Sequence, residues 1–416
     1  MRIDHLLSGC MGLVLFQQVA CADPITLEQA MRLVGDKHPD VRVSEQGVAM
    51  EQGRLDEQSA YAYNPVVSIR SQRRRLADGS NITPDYMVEL SQRIEMPGKR
   101  ASRTAAARAG LDAARDHARY VRQQRQIDVA RTAVRFDFSS RIAESRRQQR
   151  KIMLRLLHAV EQGLKAGEKN RLDVNLARAS YANAVSGEEQ SDRLTLAAQR
   201  DMEDALGLVD EGKRLRVEIP LLDTSWMPPG NAAQKALASR PDIRSARDYV
   251  RVGEARMRLA DLNRIPDPTM KLLEARYSGD HIVGLILQMP IPALNSHTGA
   301  YRRTVARLER DKGAVRWRVV KLKREVATAV DQYRKAVRAL VNFRQAHGET
   351  AEVNIRLART AYEQGEMNLS DLLVYLHESL QSRVTRLHLM ERVWLSRIRV
   401  AEVLGHPEYI LQEGEG

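Results

Sequence analysis

The chain of 416 residues carries 66 Lys and Arg against 53 Asp and Glu, a net charge of +13, with 43% hydrophobic but only 5% aromatic residues. Its length allows two or three globular domains, yet the 14 prolines are spread so unevenly that a compact enzyme of short alternating elements is disfavoured. None occurs between residues 98 and 219 or between 293 and 406; proline inside a helix costs about 3 kcal/mol, so both runs, rich in Ala, Arg, Leu, Gln and Glu, read as long helices.

The N-terminus has a basic start at Arg2, an apolar core from Leu6 to Phe16 and Ala20-Cys21-Ala22 before Asp23. This is the pattern of a cleaved secretory signal over residues 1–22. Cys10 and Cys21 are the only cysteines, and cleavage after Ala22 leaves a mature chain without one. Leu7-Ser8-Gly9-Cys10 comes too early for a lipoprotein box, whereas Val19-Ala20-Cys21 keeps lipidation of Cys21 open. No later stretch approaches the ~18 uninterrupted apolar residues of a transmembrane helix. Export changes the meaning of a pI near 9.8. Arg103, Arg108, Arg115, Arg119, Arg122 and Arg125 alternate with acids along one helical run, the pattern of a solvated helix face. No nucleic-acid partner is expected; anionic lipid or acidic partners are the alternative.

The chain repeats itself. His38-Pro39-Asp40-Val41 recurs as Arg240-Pro241-Asp242-Ile243, Asn64-Pro65 as Asp267-Pro268, Gly167-Glu168 as Gly365-Glu366, and Ala205-Leu206-Gly207 as Val403-Leu404-Gly405. The offsets are 202, 203, 198 and 198 residues, nearly constant. The expected organisation is a first repeat over 23–208, a proline-containing linker over 209–230, a second repeat over 231–405 and a tail over 406–416.

Each repeat opens with a helical stretch. In the first, a hairpin follows at about 65–95, its strands flanking Ala77-Asp78-Gly79-Ser80-Asn81, a run of turn formers. Tyr86, Val88, Leu90 and Ile94 fall on one face and Glu89, Ser91 and Arg93 on the other. A helix pair is expected over about 98–207, turning at Gly167. In the second repeat, strands flanking Ser278-Gly279-Asp280 make a hairpin over about 267–290, with Val283, Leu285, Leu287 and Met289 on one face. Strands of about 9–11 alternating residues suit a tilted membrane β-strand, although a half-buried hairpin on a periplasmic domain gives the same signal. Four strands cannot close a barrel, and an open edge cannot lie in lipid, so membrane insertion would require several chains to pool strands.

The second helix pair, over about 296–404, carries the strongest periodicity. Alternate steps of four and three from Tyr301 reach Val305, Leu308, Lys312, Val315, Val319, Leu322, Val326, Ala329, Tyr333, Ala336, Leu340 and Phe343, with Lys312 the lone polar member. Its partner runs through Leu369, Leu373, Leu376, Leu380, Arg383, Leu387, Met390 and Trp394. A 3.5-residue period sustained this far predicts coiled-coil packing, with the first of these helices running unbroken from about 299 to 362.

Signatures of catalysis are absent: the sequence has no HExxH, Walker loop, GxGxxG or GxSxG. His377 and His388 share a helix face without a partner at i+3 or i+4, and the methionines are scattered. No cofactor and no metal site are expected.

Two motifs carry a family resemblance: Tyr362-x-x-Gly365-x5-Asp371-Leu372-Leu373, with its looser counterpart Gly167-x5-Asp173-Val174, and the strand exit Glu89-Leu90-Ser91-Gln92-Arg93-Ile94-Glu95-Met96-Pro97-Gly98-Lys99-Arg100. From Ile25 to Gly405 the chain resembles the TolC-like outer-membrane efflux factors. The strand exit, taken with Pro290-Ile291-Pro292-Ala293-Leu294-Asn295, is most similar to their cobalt–zinc–cadmium branch. Val374 stands where the drug-efflux prototype has a second Asp, and Gln92-Arg93 replaces a Gln-Pro.

The resemblance implies a mainly α protein with a β part. A long antiparallel coiled-coil α-helical barrel would join a shared transmembrane β-barrel, four strands per protomer and 12 in a homotrimer. It also implies an outer-membrane exit duct with a large periplasmic portion. Such a duct is joined through a periplasmic adaptor to an inner-membrane pump of the resistance-nodulation-division type, here for heavy-metal cations. Pro97, Gly98, Pro290 and Pro292 would then turn strands into helices, while Gly167, Asp173, Gly365 and Asp371 would form the periplasmic tip and gate.

Overall fold

The computed structural model describes residues 25–75, 82–207, 217–277, 280–347 and 351–413. The expected signal segment, the turn residues 77–81, Ser278-Gly279 and the first part of the linker lie outside the described residues.

Two short strands, β1 (Ile25–Thr26) and β4 (Val217–Glu218), pair in parallel and bring the start of the chain against the linker. The first repeat continues as α1 (Leu27–Lys37), α2 (Pro39–Ser59), β2 (Val66–Arg75), β3 (Ile82–Arg93), α3 (Lys99–Lys165) and α4 (Arg171–Leu206). The second runs α5 (Ala232–Ser239), α6 (Pro241–Leu262), β5 (Thr269–Tyr277), β6 (Asp280–Gln288), α7 (Thr298–His347), α8 (Ala351–Glu363) and α9 (Leu369–Leu404). The helix expected to run unbroken through 299–362 is described as α7 and α8, with residues 348–350 outside the description.

With 67 residues, α3 is about 100 Å long at 1.5 Å per residue. It packs against α2, α4 and α6. Small side chains allow the close approach to α6: Ala109, Gly110 and Ala113 are buried, and Ser245 Oγ donates to Ala113 O at 2.9 Å. On α7 the 3.5-residue stripe is the inward face, with Leu308, Leu322, Val326, Ala329, Tyr333, Ala336 and Leu340 all buried.

The largest apolar clusters lie mid-molecule, where α9 is shared by both repeats. Ile127, Val134 and Phe138 of α3 meet Trp394, Ile398 and Ala401 of α9 on one side. Leu322, Tyr333 and Leu340 of α7 meet Val393, Val400 and Val403 on the other. Arg397 is fully buried between them, 4.7 Å from the Trp226 ring and 5.8 Å from the Trp394 ring, and donates to the carbonyls of Tyr409 and Gln412. One guanidinium thus ties the linker and the C-terminal segment to α9, and burial pulls it below the usual arginine pKa. Tyr333 donates to Trp226 O at 2.9 Å, and burial pushes its hydroxyl up to about 12.

The four long strands form one antiparallel sheet, β2-β3-β5-β6, so the hairpins adjoin through β3 and β5 while β2 and β6 remain edges. The register places Val67, Leu90, Leu272 and Leu285 in one cross-strand row, and Ile69, Val88 and Val283 in the next. These side chains, with Tyr86, Met270 and Leu287, are exposed. The opposite face is mixed: Ser68, Arg70, Glu89, Ser91 and Lys271 lie on it beside Val66, Met87, Leu273, Ile282 and Ile286, and Lys271 Nζ lies 3.1 Å from Glu89.

Helices α4 and α9 both end on left-handed glycines, Gly207 (φ 68°) and Gly405 (φ 71°). Each abuts the residue that caps a helix of the same repeat, His38 or Arg240; a Cβ on Gly405 would stand 2.9 Å from Arg240 Cγ. Gly365 is left-handed as well (φ 78°), but a Cβ there would meet nothing within 4 Å. The backbone penalty is therefore shared and the steric one is not. Gly405→Ala should cost about 2–4 kcal/mol and Gly365→Ala about 1 kcal/mol, an order that thermal unfolding midpoints of the two variants will check.

Candidate functional site

Three places can carry function in this fold: the exposed sheet, the junctions joining it to the helices, and the helix tips farthest from it. At the first junction β3 ends at Arg93, Pro97 follows after a short irregular stretch, and Gly98 adopts φ 87°, where a Cβ would come within 3.1 Å of Leu262. Proline removes the donor that strand continuation needs, and glycine takes the left-handed turn without penalty.

Asp267, just before β5, organises this turn although it lies 168 positions from Lys99. Its Oδ1 accepts from Lys99 Nζ at 2.7 Å and from the Met96 backbone N–H at 3.0 Å, and its Oδ2 accepts from Tyr63 OH at 2.8 Å. Lys99 Nζ also donates to Ile265 O at 2.7 Å. Both members of the pair are buried, at 5% and 4% side-chain exposure. Burial alone would raise the Asp267 carboxyl; the bonds from Lys99, Met96 and Tyr63 outweigh it and hold the carboxyl below its usual range. Burial, then the bond to Asp267, raises the Tyr63 hydroxyl.

Arg103 completes the joint. It meets both oxygens of Glu95 at 3.0 and 2.9 Å and donates to Gln58 O, while Arg100 donates to Ser59 O at 2.7 Å. The last carbonyls of α2 are thereby satisfied by the first turn of α3. The second junction is built differently: Pro290 and Pro292 lie in an irregular segment with Ile291 and Leu294 almost wholly exposed, closed by His297 at φ 57°.

At the tips the two turns are near copies. Glu168 N donates to Gly163 O and Gly167 N to Leu164 O; Glu366 N donates to Ala361 O and Gly365 N to Tyr362 O. This is the paired bonding of a Schellman turn, in which a left-handed glycine closes the helix. Asn170 then caps α4 with Asp173 in a reciprocal capping box. Asn368 caps α9, accepting from Asp371 N at 2.8 Å while its amide donates to Asp371 Oδ2 at 2.8 Å. Asp173 thus completes the cap of α4, whereas the Asp371 carboxylate holds the side chain of the capping Asn368; in either first turn a carboxylate also suits the dipole.

Lys169 Nζ sits 4.8 Å from the Tyr362 ring, and Leu157, Val160, Val174 and Leu369 pack together, so the tips are one unit. Asp371 is exposed, and among the described residues it forms no ion pair; Arg359 is taken by Glu363 at 2.7 Å. The structure thus brings Gly167 and Gly365 together, places Pro97 and Gly98 at a clamped joint and leaves Pro290 and Pro292 in the open. No cluster of three potential metal ligands occurs among the described residues, and His388 lies 3.5 Å from Glu391 alone.

Asp267, Lys99 and Arg397 are the residues that sequence reading missed. Asp267 appears in it only as the partner of Asn64 in the repeat, and Lys99 only as part of the strand exit. Arg397 is the next step of the α9 stripe, three residues beyond Trp394, where a charge reads as the end of the apolar face.

No family model matches the chain, and no curated protein matches it. Solved structures do. CusC, which changes conformation on folding and transmembrane channel formation, superposes with a TM-score of 0.77 at 17% identity over 92% of each chain. The CmeC outer membrane channel of Campylobacter jejuni gives 0.78 at 13% identity, covering 100% of this chain and 95% of its own. The outer membrane protein VceC of Vibrio cholerae gives 0.74 at 15% identity, covering 91% and 96%. The chain has the fold of these channel proteins.

Because the Asp267 carboxyl is depressed in the folded state, its contribution is fully present above the ordinary carboxylate pKa and lost as pH falls through the lower folded value. Asp267→Ala leaves Lys99 buried without its counter-charge, bonded only to Ile265 O, and should cost about 3–5 kcal/mol at neutral pH. Thermal melts of wild type and Asp267→Ala from pH 7 to pH 3 should converge on acidification; a gap independent of pH would refute the ion-pair account.

Proposed function

We propose that this protein is a passive outer-membrane channel, the exit duct of a tripartite efflux system, and that it performs no chemistry of its own. The observation that carries the reading is the four-stranded sheet with one exposed apolar face and two open edges, β2 and β6. Unpaired backbone groups in hydrocarbon cost several kcal/mol each, so a sheet with this face in lipid must close on other copies. Three chains supply 12 strands, and helices such as α3, about 100 Å long, extend the barrel as a tunnel into the periplasm.

The partners of such a homotrimer are outer-membrane lipid, a periplasmic adaptor and an inner-membrane pump of the resistance-nodulation-division type. The resemblance of the Pro97-Gly98-Lys99 strand exit to the cobalt–zinc–cadmium branch favours heavy-metal cations as cargo. The two repeats, 23–208 and 231–405, each contribute one hairpin to the barrel and one helix pair to the tunnel. Gly167 and Gly365 form the turns that the adaptor grips. Asp371, exposed and held in place by Asn368, helps keep the narrow end shut in the resting channel.

Cross-linking in intact membranes should give trimers; monomers only, together with fractionation into the soluble periplasm, would favour a coiled-coil scaffold that never enters the membrane. Asp371→Ala should raise single-channel conductance or remove cation block without lowering trimer yield. Unchanged conductance and block would leave Asp371 a helix cap.

A further inference from the structure

The apolar face of the sheet ends in a cationic row near the hairpin turns. From the helices outward, the register stacks Gln92, Met270 and Leu287, then Val67, Leu90, Leu272 and Leu285, then Ile69, Val88, Glu274 and Val283, then Ser71, Tyr86, Arg276 and His281. Arg73 opposite Pro84 comes next. Successive rows are about 7 Å apart along a strand. Glu274 is the only carboxylate on this face among the described residues, and His281 Nε2 lies 2.8 Å from its Oε1. Arg276 and Arg73 form no ion pair among the described residues, and both are exposed. Asp85 and Asp280 occur at the same height but on the opposite face.

We propose that Arg73 and Arg276, with Tyr86 between them on the neighbouring strand, bind the phosphorylated headgroups of outer-leaflet lipid. The inference rests on the membrane-channel reading and says which lipid the sheet selects. Two observations point to lipid as the source of the phosphate. The cations stand above rows that are apolar except for Gln92 and for Glu274, which is paired with His281, so a ligand reaching both the cations and the apolar rows must carry acyl chains below an anionic head. An aromatic at that level is also the side chain that suits a headgroup boundary, with an apolar ring and a polar tip. A guanidinium matches a phosphate with two parallel N–H donors, and each base near an anionic surface strengthens binding about fivefold.

The test uses the full-length protein purified in detergent and native mass spectrometry of retained lipid, with lipid A, its dephosphorylated form and inorganic phosphate as probes. Wild type should retain lipid A about 30-fold more tightly than the dephosphorylated form, two arginines contributing, and inorganic phosphate at equal concentration should not displace it. The double variant Arg73→Gln, Arg276→Gln should lose that preference, whereas Arg70→Gln, on the opposite face, should keep it. Equal retention of both lipids by wild type, an unchanged preference in the double variant, or displacement by inorganic phosphate would each overturn the proposal. If the double variant does not assemble, the wild-type comparison of the two lipids decides alone. A protein that binds neither lipid and needs no detergent would instead refute the membrane reading itself, so the two failures are distinguishable.

Discussion

The structure depends on backbone hydrogen bonds that a single chain cannot make. A sheet in the order β2-β3-β5-β6 leaves the outward-facing amides and carbonyls of β2 and β6 unpaired, and natural proteins pair, cover or blunt such edges. Here the strands are nine to twelve residues long, and exposed Val66, Val67, Ile69, Ile282, Val283 and Leu285 lie on the edges themselves. Charges gather only towards the hairpin turns, at Arg73, Arg74 and Arg75 of β2 and at Asp280 and His281 of β6, so the halves of these edges nearer the helices are largely apolar. The proposed closure by further copies would satisfy the edges, and it would place a demand on the rest of the molecule: the angle at which each hairpin leaves its helices must be fixed if strands from different chains are to meet in register.

The first junction meets that demand through Asp267, which receives bonds from the end of β3, the first residue of α3 and the segment after α2 while itself leading into β5. Three segments of the first repeat and the entry to β5 in the second are thus referred to one carboxylate. A buried ion pair is weak evidence of net stability, since desolvation offsets much of the attraction. Its geometry nevertheless specifies one arrangement, because any other would strand Lys99 in the interior. The duplicated position shows the contrast: Pro290 and Pro292 act through stiffness, restricting their own φ and the residues before them, with no side-chain clamp. The repeats share a fold and solve the same turn by different chemistry.

Much of this was legible in the sequence. Period-2 alternation marks the strands and their apolar face; the 3.5-residue stripe on α7 marks its buried face from Leu322 to Leu340; and Gly followed by Asn and then Asp three residues later marks both tips. These signals are local, set by neighbours within a turn or two. The joints were not legible, because they link residues far apart: Lys99 to Asp267, Arg131 to Glu402, Arg397 to Trp226. Periodicity assigns a position to a face but not the partner across it, so Arg397 could be placed on the α9 stripe and still be mistaken for its end.

Arginine usage follows the same division between local and distant contacts. Of the 66 basic residues 54 are arginine, and many pair within a turn on the helix surface, such as Arg32 with Glu28 or Arg359 with Glu363. Exposed pairs of this kind contribute about 0–1 kcal/mol, so they cannot hold the repeats together. The charges that do are few and buried. Asp242 is gripped by Arg240 from its own repeat element and by Arg318 of α7, both at 2.8 Å or less; burial alone would raise its carboxyl, but these bonds hold it below the usual range. Arg397 satisfies carbonyls from the C-terminal segment while stacking on the linker tryptophan. Each of these groups joins elements distant in sequence, and each would be left desolvated if its joint opened. Charge thereby fixes the arrangement of long helices that their apolar stripes alone, repeating every 3.5 residues, would allow to slide by a heptad.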